Sequence, residues 1–136
     1  MLAQKLVNFA RFHADAYDRE GRFRFSACEK SGPEWFVQYS QAYGGHVTLE
    51  EVKGQTLGGH FHSHALGILG MIEYATIVGD RELLDWCKSS YEWARTQGNS
   101  LTGFFPEFIS PEYPSCESCE VADMIAMAAK LSRAAA

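Results

Sequence analysis

The chain has 136 residues, 46% of them hydrophobic, with three Trp, six Tyr and nine Phe, enough to bury one domain-sized core and no more. Twelve Lys and Arg against seventeen Asp and Glu give a formal charge of -5 spread along the chain, which argues against nucleic acid or an anionic membrane as partner. No apolar run reaches the ~18 residues of a membrane span. Lys5, Asn8 and Arg11 interrupt the amino-terminal stretch too early for the core of a signal peptide. Four cysteines, Cys28, Cys87, Cys116 and Cys119, are too few for a disulfide framework, so reduced thiols and a cytoplasmic location are expected.

In chain order, Leu2, Leu6, Phe9, Ala10 and His13 share one helical face, and a helix is expected from Leu2 to about Tyr17. From Asp18 to Thr56 no period is sustained. That stretch reads as irregular, with a short strand at Phe23 to Ser26. Between Gly59 and Val78, Leu66, Leu69, Met71, Ile72 and Ala75 recur at helical spacing. Gly79 then suits a left-handed residue past a helix, and Asp80 the N-cap of the next. The second helix runs from Arg81 to about Thr96 with Leu83, Leu84, Cys87, Tyr91 and Ala94 inward, so the two form an antiparallel hairpin. A proline-rich irregular stretch follows, then a last helix from about Glu120 with Val121, Met124, Ile125, Ala128 and Leu131 inward. The expected class is all-α, a single partial domain over 1–136. The hairpin and two outer helices leave apolar faces that want neighbours, as in stacked-hairpin architectures. Neither end reads as a natural boundary, so the chain is expected to be a fragment of a larger domain.

Three clusters carry chemistry. In "CESC", Cys116 and Cys119 have the Cys-x-x-Cys spacing that lets two thiolates reach one metal or redox centre, and Glu117 adds a carboxylate. Equally, the motif is the polar entrance to a helix, with Glu120 and Asp123 as amino-terminal helix charges. In "GGHFHSHALG", His60, His62 and His64 alternate, suited to metal or sugar, or to packing and capping at a helix start. In "TGFFPEFISPEY", Glu107 and Glu112 lie among Phe104, Phe105, Phe108 and Tyr113. Aromatic surroundings suit a general acid and a stacking surface for sugar rings, or simply anchor a surface loop.

The order of "GH" at 59–60, "GD" at 79–80, "LTG" at 101–103, a loop bearing Pro and Tyr, and "ESC" at 117–119 entering a helix resembles the bacterial β-L-arabinofuranosidases, over about residues 58–131. The resemblance implies a toroid of six stacked helical hairpins, an (α/α)6 fold, and glycoside hydrolase activity on a carbohydrate substrate. It implies a sugar-contacting role for His60 and Glu107 as general acid/base; His62, His64 and Tyr113 are further candidate sugar contacts from the clusters themselves. It also implies zinc as cofactor, held by Glu117 and Cys119, with Cys116 a further candidate ligand. Ser118 stands where the family's motif has Thr, and the loop from Glu107 to Glu117 is shorter than the family's. Two other classes remain open: a polysaccharide lyase or sugar epimerase toroid without metal, and a non-enzymatic helical scaffold whose Cys and His residues are core.

Overall fold

Helical periodicity turns into four described helices: α1 (Leu2–Phe12), α2 (Phe61–Val78), α3 (Arg81–Thr96) and α4 (Ser118–Ala134). The computed structural model describes residues 2–12, 16–23, 37, 41–42, 48, 60–99, 101–107 and 116–135. Among them the chain is all-α. Two isolated antiparallel bridges join described residues, Tyr17 with Phe23 and Pro106 with Cys116.

The α2–α3 hairpin forms as its sequence demands. Gly79 sits at φ 72, where side chains are strained, and its N–H closes on the Ala75 carbonyl. The Asp80 carboxylate then accepts from the Leu83 N–H at 3.0 Å, satisfying a donor that the first turn of α3 leaves open. Ile68, Met71, Ile72 and Ala75 of α2 meet Leu83, Cys87 and Ala94 of α3, and Met124 and Met127 of α4, in one continuous buried cluster. Within that cluster α4 packs chiefly on α2, and less on α3.

The segment 16–23 braces the start of α2. Tyr17 donates to the His64 carbonyl at 2.7 Å. A Cβ at Gly67 would lie 2.2 Å from the Tyr17 hydroxyl, so only glycine lets the ring approach. Trp86 Nε1 donates to the Arg19 carbonyl at 2.9 Å, and Ser90 Oγ to the Gly21 carbonyl at 2.6 Å, which pin the same turn to α3. Phe23 is buried against Phe61, His64 and Trp93.

Several expectations change in detail. Helix α1 is assigned to Phe12, and residues 13–15, His13 included, lie outside the described residues. Its Val7 and Ala10 face the core, whereas Leu2, Leu6, Phe9 and Phe12 are exposed. Phe23 makes a single bridge with Tyr17, and the remainder of the expected strand, 24–26, is not among the described residues. In α2, Leu66 is half exposed; Phe61, Ala65 and Ile68 are buried instead. In α4, Ile125 is 65% exposed and Met127 takes the inward place. The reason lies at the start of α4, where Glu120 and Asp123 are both buried. They turn the helix so that residues 120, 123, 124 and 127 face inward, and Ile125 points away.

Candidate metal and ligand site

Two helix starts and one loop meet at one end of the bundle. His60 precedes α2 in an extended conformation, and its imidazole accepts from the Ser63 N–H, capping the helix. Glu117 precedes α4, also extended. Glu117 and Glu120 form a capping box: each carboxylate takes the other residue's backbone N–H, with Glu117 N to Glu120 Oε2 at 3.1 Å. The loop is tied in by two contacts. The Phe61 N–H donates to the Glu107 carbonyl at 2.8 Å, and Pro106 pairs with Cys116. Phe105 packs on Phe61 with ring centroids 5.5 Å apart, fixing the loop to the core just before Glu107.

The result brings His60, Glu107 and Glu117 together, with one ligand atom from each lying within 4.8 Å of the others. A second group, Glu117, Cys119 and Glu120, meets the same limit and shares Glu117 with the first. The Cys119 thiol donates to Glu117 Oε2 at 3.2 Å and lies 3.5 Å from Glu120 Oε1. His60 Nε2 is 3.9 Å from Glu117 Oε2. Burial pushes the Cys119 thiol up to about 12, and the two neighbouring carboxylates, by hydrogen bonding and by charge, push in the same direction.

That electrostatic setting suits a cation. Imidazole, carboxylate and thiol are the donor types that zinc takes. A divalent charge among these groups reverses the penalty that the carboxylates impose on the thiolate. Glu117 just before α4 and Cys119 in its first turn, with His60 or Glu120 beside them, are the residues that would hold it.

The other sequence-derived candidates fall as follows. His62 lies on the first turn of α2, its ring 5.9 Å from that of His60 and edge-on to it. Its Nδ1 is 2.5 Å from Asp123 Oδ2. His64 faces inward, stacked on Phe23 at 5.0 Å with its Nδ1 2.9 Å from the His60 carbonyl. Cys116 is exposed and belongs to neither ligand group. It borders a cleft of about 230 Å³ with Asn99, Phe104 and Phe105. Tyr113, Phe108 and Glu112 lie outside the described residues. A groove of about 350 Å³ between Arg81, Lys88, Tyr91 and Leu131 sits between α3 and α4, away from these groups.

Two acids that the sequence offers as amino-terminal helix charges are buried at the start of α4. Glu120 is fully buried and Asp123 is 7% exposed. For Glu120 the signal was available: the Glu-x-x-Glu spacing from 117 to 120 is that of a capping box, which turns its second carboxylate back over the helix start. Asp123 falls three and four residues after Glu120 and Cys119, on the same face. Its partner His62 is 61 positions away, and no local pattern announces it.

No protein-family description, curated protein or solved structure matches this chain.

Proposed function

We propose that this chain belongs to a carbohydrate-active enzyme of the six-hairpin toroid kind, a glycoside hydrolase resembling the β-L-arabinofuranosidases, with its catalytic groups at the α2 and α4 starts. The observation that carries the reading is the meeting of His60, Glu107, Glu117 and Cys119 at one end of the bundle. Those residues come from a helix cap, a loop and a second helix start. The motif order that resembles the family names these same four positions.

In this reading Glu107 gives a proton to the departing glycosidic oxygen as a thiolate takes the anomeric carbon, and then takes a proton from the water that displaces that thiolate and releases the sugar. His60, half-buried and held by its cap to Ser63, hydrogen-bonds a hydroxyl of the sugar. Glu117 and Cys119 would hold zinc, which would supply positive charge at the site and keep a ligating thiolate deprotonated at neutral pH. Glu120 positions Glu117 through the capping box and is not itself exposed to substrate.

The test is hydrolysis of p-nitrophenyl β-L-arabinofuranoside, with zinc content measured alongside, on the complete reading frame that carries these residues. Glu107→Gln is expected to lower kcat by about 100-fold or more, the usual contribution of a general acid, with zinc content unchanged. Cys119→Ser is expected to lose both metal and turnover. A metal-free wild type that hydrolyses no glycoside in a panel of furanosides and pyranosides overturns the reading.

A further inference from the structure

The contact between His62 and Asp123 has no part in the metal groups, yet it is a close polar link between α2 and α4 with a buried carboxylate on one side. Nδ1 and Oδ2 are 2.5 Å apart, a direct hydrogen-bonding contact between imidazole and carboxylate. The two partners differ in exposure. The Asp123 side chain is 9% exposed and that of His62 32%. A carboxylate so deeply placed is costly unless a donor meets it, and the imidazole Nδ1–H is that donor. The carboxylate cannot donate when ionised, so the proton between them belongs on Nδ1. The ring's other nitrogen, Nε2, lies on the edge directed away from Asp123, and the ring stands edge-on to His60.

We infer that Asp123 is a positioning residue for this site: it holds His62 with Nδ1 protonated, so that Nε2 is the nitrogen offered to a ligand hydroxyl beside His60. This rests on the carbohydrate reading for the identity of the ligand, a polyol whose O–H groups donate and accept. A hydrogen-bond partner on the far nitrogen decides which nitrogen works, just as a second carboxylate does for metal-bound or catalytic imidazoles. His62 then contributes an acceptor of fixed direction from one helix, and the capped His60 stands one residue away.

The arrangement also explains why α4 buries an acid at 123. A merely structural link between α2 and α4 is available elsewhere, in the ion pair of Lys130 with Glu73. That pair is solvent-exposed on both sides and leaves the helix starts untouched. Asp123 instead sits one turn beyond Cys119, on the face that carries Glu120, where its carboxylate reaches the His62 imidazole beside the His60 ring.

Long-range ¹H–¹⁵N correlation on the ¹⁵N-labelled chain reads the ring directly. Wild-type His62 is expected to show a protonated Nδ1 and a pyridine-type Nε2, and no substitution is needed to see it. In Asp123→Asn, the amide can donate to the ring, so the proton is expected to move to Nε2; circular dichroism and the melting curve establish that the variant is folded. Titration with methyl β-L-arabinofuranoside supplies the second arm. Asp123→Asn and His62→Asn are each expected to lose about tenfold in affinity, the size of one hydrogen bond, and the double variant no more than either alone. An Nε2-protonated ring in the wild type overturns the inference, and so does a folded Asp123→Asn with unchanged tautomer and unchanged affinity. If wild type binds none of the sugar, the carbohydrate reading fails, and the tautomer arm still decides the role of Asp123.

Discussion

The two ends of α2 are held by different physics. Toward its carboxyl end, Met71, Ile72 and Ala75 pack with Leu83, Leu84 and Met127 in an apolar seam, and a glycine turn with a carboxylate cap leads into α3. Its amino end meets α4 through polar groups: Glu120 and Asp123 are buried there, His62 spans the gap, and the Cys119 thiol is gripped by two carboxylates. Apolar packing tolerates substitution by volume and needs no partner of fixed direction. A buried polar junction is stable only while each member is satisfied, and folding alone would be served as well by leucines. That contrast is why the amino end reads as a site.

Phe61, the first residue of α2, is fully buried against Phe23 and Phe105 beside the polar junction, and its loss is the largest effect expected. Phe61→Ala should cost about 3–5 kcal/mol in denaturant unfolding, and should loosen the Glu107 loop with it. At the polar junction, Glu120→Ala removes the acceptor for the Glu117 N–H and should cost about 1–3 kcal/mol. Glu120→Gln keeps an acceptor oxygen and should recover most of that. If Ala and Gln variants unfold alike, the junction is held by packing and the contrast disappears. On the apolar side, Asp80→Ala removes one cap from α3 and should cost about 1 kcal/mol, with the site groups unaffected. Polar substitution at the exposed Leu6 should change stability by no more than about 0.5 kcal/mol.

Thiol chemistry sharpens the same comparison. In metal-free chain, Cys119 is held protonated, so alkylation at pH 8 should be slow and should keep accelerating as pH rises beyond 9. Glu117→Gln removes one of the causes and should speed the reaction at fixed pH. The linkage has a definite sign. With the folded-state value raised to about 12, the folded state holds the proton more tightly than the unfolded state. The stability associated with Cys119 is therefore complete below about pH 9 and lost as pH rises toward 12. Cys87, buried in the apolar seam and raised to about 12 mainly by desolvation, adds to the same alkaline loss.

The hairpin was readable because its signals are local. Gly79, Asp80 and the Leu83, Leu84 and Cys87 stripe each act within one or two turns, and α3 begins and ends where they place it. The face of α4 was not, because apolar spacing points Ile125 inward and nothing in a helix-start charge announces that Glu120 and Asp123 are buried. The observed rotation buries those acids, and that depends on His62 and the Glu117 cap, which periodicity does not register. For α1, the apolar stripe through Leu2, Leu6 and Phe9 was legible, but not which side of it meets the core. For the site, motif order named His60, Glu107, Glu117 and Cys119, and missed Asp123, whose partner is distant in sequence.

The central claim, that the α4 start is a thiolate-bearing cation site, is tested most directly by cobalt(II) titration of the reduced chain. Wild type should develop the thiolate-to-cobalt charge-transfer band in the near ultraviolet, removable by zinc, and Cys119→Ser should lack it while Cys116→Ser retains it. A wild type with no such band, or a band that survives Cys119→Ser and vanishes with Cys116→Ser, contradicts the account.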